Sequence, residues 1–231
     1  MADLSAFPIT RRWPATRPGA IQLYSYPTPN GVKVSIMLEE TGLPYEAHRV
    51  TLDADVQTPE FLSLNPNNKI PAIIDPDGPD GAAIGLFESG AILVYLAEKT
   101  GRFLGSSAAD RYRILQWLMF QMGGVGPMFG QVGFFLKYAG TAVTDPIPRE
   151  RYLNEAKRLL GVIEGVLDGQ DWIAGDYSIA DMAIAPWLRG LTEGYGVADL
   201  VAWDSFPRAN AYLARFLARP AVQRALNVPP R

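Results

Sequence analysis

Strand-like and helix-like segments alternate up to Gly101, and beyond it only helical patterns remain. The first part predicts the order βαβαββα, with strands at "IQLYSY", "EAHRVTL", "IPAIID" and "AAIGLF" and helices at "VKVSIMLEET", "PEFLSLN" and "SGAILVYLAEKTG". The first and last of these helices end at Gly42 and Gly101, because glycine is typical of a helix end. We therefore predict an α/β domain with a mixed sheet over residues 21–101.

The rest of the chain predicts an all-helical domain over residues 109–231. Helical periodicity runs through 109–138, 149–168, 179–195 and 206–226, with breaks at "GGVGP", "TDPIP", "GQDW" and "FP". In "DYSIADMAIAPW", Asp181 follows Ser178 by three positions, which predicts a capping box at the start of a buried, Ala-rich helix. We assign this motif a structural role.

Residues 1–20 fit neither domain and carry Arg and Pro residues that interrupt any apolar run: Pro8, Arg11, Arg12, Pro14, Arg17 and Pro18. No apolar core follows the charges, so we do not expect this segment to act as a secretory signal. We predict a loose N-terminal arm, which is either packed on a partner subunit or disordered. No run in the chain approaches the roughly 18 to 20 consecutive apolar residues of a membrane helix.

The 231 residues include no cysteine and one histidine, His48. The chain therefore has no thiolate of its own to act as nucleophile or metal ligand, so any sulfur chemistry must come from a ligand. A single histidine also disfavours zinc sites and Ser-His-Asp triads, and we interpret His48 as a surface or packed strand residue. With 48% apolar residues and a net charge of −3, the composition predicts a globular protein and disfavours nucleic acids and anionic membranes as partners.

Two stretches of the α/β domain carry candidate binding chemistry. In "NPNNKIPAIID", Pro71 opens a strand, and the Ile70–Pro71 bond is a candidate for the cis isomer, which turns neighbouring backbone groups outward for an extended peptide to pair with. In "LFESGAI", Glu88 and Ser89 lie at a strand-to-helix junction, where helix amides favour an anion. Ser89 can bind a carboxylate there and Glu88 an ammonium group. Alternatively, Ser89 is only a helix N-cap and Glu88 a charge beside it.

Together with the turn "PTPNG", these stretches suit a short peptide that brings its own carboxylate, amine and thiol. The ordered motifs "YSYPTPNGVKVSIMLEE", "NPNNKIPAIID", "LFESGAILVYLAEKTG", "LQWLMFQMGGVGPMFGQ" and "YSIADMAIAPW" span the chain from about Ile21 to its C-terminus. In them the chain resembles cytosolic glutathione S-transferases, in particular the bacterial Nu class and the related fungal Ure2-like proteins. The resemblance implies a thioredoxin-like domain with a mixed four-stranded sheet, an all-helical second domain, and a cytoplasmic homodimer that binds glutathione without a metal.

The resemblance assigns the contact with the glutathione sulfur to Thr28 and Asn30. Both side chains can donate a hydrogen bond to a thiolate, and a donor that favours the charged form lowers the pKa of the thiol. The alternative is that "TPNG" only turns the chain and caps the helix. Tyr24 and Tyr26 are alternative hydroxyl donors, and strand alternation puts both on the same face.

The same resemblance implies which residues hold the rest of glutathione. Four consecutive residues hold the peptide part, with the Ile70 backbone pairing to the cysteinyl unit: Asn68, Lys69, Ile70 and Pro71. Glu88 and Ser89 bind the γ-glutamyl end, and Gln57 in "ADVQTPEF" is a further contact. Arg151 in "RERYLNEA" reaches glutathione in the neighbouring subunit; alternatively, it is a solvated helix charge.

The resemblance to Nu-like proteins implies glutathione-dependent disulfide reduction, with two glutathione thiols or glutathione disulfide in one site. The absence of cysteine fits, because one ligand thiolate attacks the substrate and a second resolves the mixed disulfide. Apolar residues of "GGVGPMFGQVGFF" either line the site of a small disulfide or electrophile or belong to the core: Met128, Phe129, Phe134 and Phe135. The alternative functions are glutathione conjugation or peroxide reduction, and a non-catalytic glutathione-binding regulatory protein.

Overall fold

The computed structural model describes residues 4–230. Its sheet has four strands in the order β2-β1-β3-β4, where β1 is Ile21–Ser25, β2 is Tyr45–Arg49, β3 is Ala72–Asp75 and β4 is Ile84–Phe87. β1 pairs in parallel with β2 and antiparallel with β3, and β3 pairs antiparallel with β4. The predicted mixed sheet and its four strands are confirmed.

Three helices belong to this α/β region: α1 (Gly31–Thr41), α2 (Pro59–Leu62) and α3 (Ser89–Thr100). α1 packs against α3 and is buried without interruption from Gly31 to Leu38, so it is a core helix rather than a surface one. It ends at Gly42, whose φ of +73° is the left-handed conformation that glycine adopts most easily.

Residues 4–20 pack against the sheet, whereas the sequence predicts a loose arm. Ile9, in a 3-10 helix over Pro8–Arg11, is fully buried in a hydrophobic cluster that also contains Leu4 and Tyr24. The indole N–H of Trp13 donates to the Arg49 carbonyl oxygen at 3.1 Å, tying the segment to β2. Sequence patterns do not reveal this packing, because the contacts join residues far apart in the chain. Residues 1–3 lie outside the described residues.

The helical region contains α4 (Ala108–Phe120), α5 (Gly126–Lys137), α6 (Pro146–Val166), α7 (Ile179–Arg189) and α8 (Pro207–Leu217). The predicted break at "GGVGP" is wrong, because a π-helical turn over Gln121–Val125 joins α4 directly to α5. A second π-helical turn, Gly190–Gly194, continues α7. The capping box of α7 is confirmed, with both of its hydrogen bonds present between Ser178 and Asp181. In the part of the chain that the structure describes, no helix is long and apolar enough to cross a membrane.

The last helix, α9 (Pro220–Ala225), belongs to a different unit from α8. One compact unit runs up to Thr100 and also includes the segment from Pro220 onward, and the other is Gly101–Arg219. α9 packs on α1, where the Ser35 hydroxyl donates to the Ala225 carbonyl oxygen at 3.0 Å. The sequence predicts instead one helical domain up to residue 231. Periodicity identifies a helix but does not tell which surface it packs against.

Candidate active site

The sheet register brings three candidate binding stretches to one end of the sheet. Tyr24 in β1 lies opposite Ala72 in β3, and Ala72 lies opposite Phe87 in β4. Pro71 immediately precedes β3 and Glu88 immediately follows β4, so these two residues lie at the same end of the sheet. The turn that follows β1 leaves the sheet at this end as well. The stretches singled out in the sequence are therefore neighbours.

The turn after β1 is fixed by Thr28. Its backbone N–H donates to the Tyr26 carbonyl oxygen at 2.7 Å, and its own carbonyl oxygen accepts from the Val32 N–H at 3.0 Å. The Gly31 N–H donates to Thr28 Oγ1 at 3.2 Å, so the half-buried hydroxyl helps to start α1. A hydroxyl that accepts a hydrogen bond can still donate its proton. Capping and donation to a ligand sulfur are therefore compatible roles.

Asn30 and Gly31 complete the turn. Asn30 occupies the N-cap position of α1, but its side chain makes no capping hydrogen bond to that helix. At Gly31, a Cβ atom would lie 1.9 Å from the Tyr26 carbonyl oxygen and 2.7 Å from Ser25 Oγ. Only glycine fits at this position, because the start of α1 lies directly against the end of β1.

The loop before β3 is held by a side chain that the sequence analysis does not single out. Asn65 is almost fully buried; its Nδ2 donates to the Lys69 carbonyl oxygen at 2.5 Å, and its Oδ1 accepts from the Asn67 N–H at 2.9 Å. Asn68, which follows, has a φ of +48°. The Ile70–Pro71 bond is cis, the isomer proposed from the sequence. Asn-rich loops are common, so no local signal marks Asn65.

Glu88 and Ser89 form the start of α3. Glu88 is exposed and has a φ of +69°, a conformation that costs a residue with a side chain about 1–3 kcal/mol and is concentrated at functional sites. Its carbonyl oxygen accepts from the Ile92 N–H at 2.9 Å. Ser89 is buried and is the first residue of the helix. Glu88, with its exposed side chain, thus directly precedes the N-terminus of α3.

Lys33 lies beneath this junction and is missed by the sequence analysis. It belongs to the buried face of α1, is 0% exposed, and its Nζ lies 3.2 Å from Ser89 Oγ. Burial lowers the pKa of Lys33 to about 7, and the nearby Glu88 carboxylate opposes that change. The signal in the sequence is a lysine inside the mostly apolar run "VKVSIML", where a buried helix leaves no solvent for a charge.

Of the two tyrosines proposed as alternative hydroxyl donors, Tyr24 belongs to the core, whereas Tyr26 is half-buried in the turn beside Thr28. Tyr24 is fully buried, its ring stacks on His48 with centroids 4.8 Å apart, and burial raises the pKa of Tyr24 well above its ordinary value. Tyr26 packs against the same hydrophobic cluster as Tyr24, as strand alternation predicts. Tyr24 has no route to a ligand. His48 is a packed strand residue whose Nε2 lies 2.8 Å from Gln22 Oε1.

Other predicted residues are not joined to this edge by the described contacts. Gln57 is exposed at the end of a 3-10 helix that follows β2. Arg151 is exposed on α6, in the helical unit. Phe129 is fully buried in that unit, while Phe134 is 42% exposed and Phe135 stacks on Tyr152 with centroids 5.5 Å apart. Phe129 is therefore core, as the alternative interpretation holds, and Phe134 offers apolar surface.

Two helix starts therefore open at one end of the sheet, that of α1 beside Thr28 and that of α3 beside Ser89. Helix starts favour negative charge, so the arrangement can stabilise a thiolate at the first and a carboxylate at the second. The exposed Glu88 carboxylate can accept an ammonium group. This end of the sheet is therefore suited to a peptide that carries a thiolate, a carboxylate and an ammonium group.

Known proteins are similar to this chain in both sequence and fold. Residues 28–99 match the glutathione S-transferase N-terminal domain, and residues 135–220 match the C-terminal domain. The chain is 44% identical over 209 residues to the disulfide-bond oxidoreductase YfcG of Escherichia coli, covering 89% of this chain and 94% of the relative. It is 40% identical over 214 residues to YghU of the same organism, also named a disulfide-bond oxidoreductase, covering 88% of this chain and 73% of the relative.

Solved structures agree closely with the fold. A glutathione transferase from Burkholderia graminis, with two glutathione molecules bound per subunit, superimposes with a TM-score of 0.98 at 64% identity, covering 100% of this chain and 97% of that one. One from Pseudomonas putida, with one glutathione disulfide bound per subunit, has a TM-score of 0.97 at 62% identity, covering 98% and 99%. With both domains matched over most of its length, the chain belongs to the glutathione S-transferase family.

Proposed function

We propose that this protein is a glutathione-dependent disulfide-bond oxidoreductase of the Nu class. The observation that carries the proposal is the position of Thr28, whose hydroxyl lies at the start of α1, at the end of the sheet where Glu88 and Ser89 begin α3. The names of YfcG and YghU support the same reaction. Relatives with two glutathiones or one glutathione disulfide bound support a site that holds both thiols of the reaction.

The proposed reaction uses two ligand thiols, since the chain has no cysteine. A glutathione thiolate attacks one sulfur of the substrate disulfide, forming a mixed disulfide and releasing the first substrate thiol. A second glutathione thiolate attacks the glutathione sulfur of the mixed disulfide, which releases the second substrate thiol and leaves glutathione disulfide. The two protons lost by the glutathiones go to the released thiolates. Two electrons pass from glutathione to the substrate.

In this mechanism the protein contributes binding, proximity and charge stabilisation. Thr28 and Asn30 donate hydrogen bonds to the attacking sulfur, and the start of α1 favours its negative charge. The peptide backbone of glutathione pairs beside β3, along four consecutive residues: Asn68, Lys69, Ile70 and Pro71. Ser89 binds the γ-glutamyl carboxylate and Glu88 its ammonium group.

We also propose that the protein acts as a homodimer. Gln57 is a further glutathione contact, and Arg151 reaches the glutathione of the partner subunit of a cytoplasmic homodimer. The exposure of both side chains supports these roles, because each is accessible to a ligand or a partner. Small disulfides are the proposed second substrates.

The deciding experiment measures 2-hydroxyethyl disulfide reduction by glutathione, coupled to glutathione reductase, beside conjugation of 1-chloro-2,4-dinitrobenzene. We expect disulfide reduction to exceed conjugation and to fall about tenfold or more in Thr28→Ala and Asn30→Ala, since hydrogen bonds to charged groups are worth about 1.5–3 kcal/mol. Conjugation that exceeds reduction would favour the transferase function. Two relatives from Schizosaccharomyces pombe are named glutathione S-transferases. Binding of glutathione without either reaction would favour a regulatory role.

A further inference from the structure

Lys33 is a charged side chain buried inside the α/β unit, and the proposed mechanism does not use it. It lies on α1, 0% exposed, with its Nζ 3.2 Å from the hydroxyl of Ser89 at the start of α3. An ammonium group can only donate hydrogen bonds, so Ser89 Oγ is the acceptor in this contact. Lys33 thereby links α1, which starts at the sulfur end of the site, to the γ-glutamyl end.

Keeping an ammonium group in this position has a cost. Burial of a charge away from water is unfavourable, and an apolar side chain of similar length would pack at this position without that penalty. A packing role alone therefore does not require lysine. A negatively charged ligand group bound at Ser89 would offset this cost. Such a group would lie near the buried ammonium, on the other side of the Ser89 hydroxyl at the N-terminus of α3.

We propose that Lys33 is a positioning residue for the γ-glutamyl carboxylate: its Nζ, 3.2 Å from Ser89 Oγ, holds the Ser89 hydroxyl in place and supplies a buried positive charge behind the group that binds the carboxylate. This inference rests on the proposed function, since it assigns the ligand of the same site. It makes ligand binding and proton uptake one event.

The direction of the coupling follows from the charges around Lys33. Burial lowers the pKa of Lys33 to about 7, so in the empty site the group is largely neutral above that pH. Glu88 faces it from the β4–α3 junction and raises the pKa. Arg224, on the helix α9 that also packs on α1, is paired with Glu39 at 2.6 Å. A bound carboxylate raises the pKa further, so binding takes up a proton and weakens as the pH rises above about 7.

The test uses S-methylglutathione, which has the γ-glutamyl group but no titrating thiol. Isothermal titration calorimetry at about pH 8, in two buffers of different ionisation enthalpy, measures the protons taken up per ligand bound. We expect uptake of most of one proton by the native protein. Lys33→Met should bind about tenfold or more weakly and lose this uptake. Lys33→Arg, whose charge does not titrate, should restore binding without the uptake.

A second ligand separates positioning from a general structural role. The analogue 4-aminobutanoyl-(S-methyl)cysteinylglycine retains the amine but lacks the α-carboxylate of the γ-glutamyl unit. Lys33→Met should leave its affinity unchanged within about twofold, whereas a merely structural lysine would weaken both ligands equally. Thermal unfolding of both variants establishes that they are folded.

The outcomes distinguish the two proposals. If the native protein does not bind S-methylglutathione, the proposed function fails. If it binds with the same proton uptake and affinity as Lys33→Met, the glutathione site stands and the role of Lys33 is overturned. Equal weakening of both ligands in Lys33→Met also overturns the positioning role.

Discussion

Thr28 Oγ1 accepts a hydrogen bond from the backbone N–H of Gly31 at 3.2 Å. The contact ties the hydroxyl to the first residue of α1 and holds its oxygen at the helix start, where a thiolate would be stabilised. Because this hydrogen bond uses an oxygen lone pair, the hydroxyl proton is left for a sulfur ligand. The same side chain orders the turn and offers the donor.

Replacing Thr28 by Val tests the donor, since valine has nearly the same shape but no hydroxyl. We expect kcat/KM for 2-hydroxyethyl disulfide to fall about 10- to 100-fold, the loss of a hydrogen bond to a charged group. The pKa of the thiol of bound glutathione should rise by about one unit or more, and each unit is equivalent to about 1.4 kcal/mol. Thiolate absorbance near 240 nm against pH measures it.

The matched control is Thr28→Ser, which keeps the hydroxyl and should retain activity within about threefold. A Thr28→Val enzyme with an unchanged thiol pKa would show that Thr28 serves the turn alone.

Gly31 is predicted to tolerate no side chain. Alanine there places Cβ 1.9 Å from the Tyr26 carbonyl oxygen, and backbone must move to relieve the contact. We expect the free energy of unfolding to fall by about 1–3 kcal/mol or more and glutathione binding to weaken, because the moving backbone carries Thr28. Urea unfolding and calorimetry measure the two effects.

Gly161→Ala provides the comparison, since a Cβ at this α6 position meets nothing within 4 Å. Glycine to alanine at an open helical site should stabilise by up to about 1 kcal/mol. Equal effects at both glycines would contradict the steric argument.

The sequence predicts the α/β elements well because their cues are local. The strands alternate with helices, and Gly42 marks the end of α1 through its own conformation. The proximity of Pro71 and Glu88 also follows from the strand pattern, because β3 pairs antiparallel with both of its neighbours. The capping box is visible for the same reason, since Ser178 and Asp181 are three residues apart.

The missed features depend on contacts between distant residues. Lys33 is marked in the sequence only as a lysine in a mostly apolar run, and its burial depends on the packing of α3 and α9 against α1. Ile9 enters the core through a segment without periodic pattern. The "GGVGP" stretch has the composition of a break, but its glycines adopt the helical backbone of a π turn. Local propensity gives no account of these arrangements.

Asp181 is predicted to make stability depend on pH. Its carboxylate accepts hydrogen bonds from the backbone N–H groups of Ile173 and Ser178, at 3.0 and 2.9 Å, yet burial raises its pKa to about 6. Between the unfolded pKa and about 6, the folded state binds more protons. The contribution of Asp181 protonation to the free energy of unfolding is therefore complete below about pH 4 and is lost as the pH rises through 6.

The comparison is with Asp181→Asn, which cannot titrate. The stability difference between native protein and variant should shrink by up to about 3 kcal/mol between pH 4 and 7, from a shift of about two units. Urea unfolding at several pH values measures it. At neutral pH the variant should still be the less stable, because one amide oxygen replaces two carboxylate acceptors. A pH-independent difference would contradict the raised pKa.

The proposed role of Arg151 in the partner's site predicts complementation between two variants of low activity. In a heterodimer of Thr28→Val and Arg151→Ala subunits, the second subunit keeps its own Thr28 and receives the intact Arg151 of the first. That site is complete, while the other site carries both defects. We expect co-expressed, doubly tagged heterodimers to show about half of the native disulfide reductase activity, well above either variant homodimer.

If Arg151 acts within its own subunit, neither site is complete, and the heterodimer is no more active than the two variant homodimers. Failure to isolate any heterodimer from a chain that sediments as a monomer would remove the partner-site role altogether.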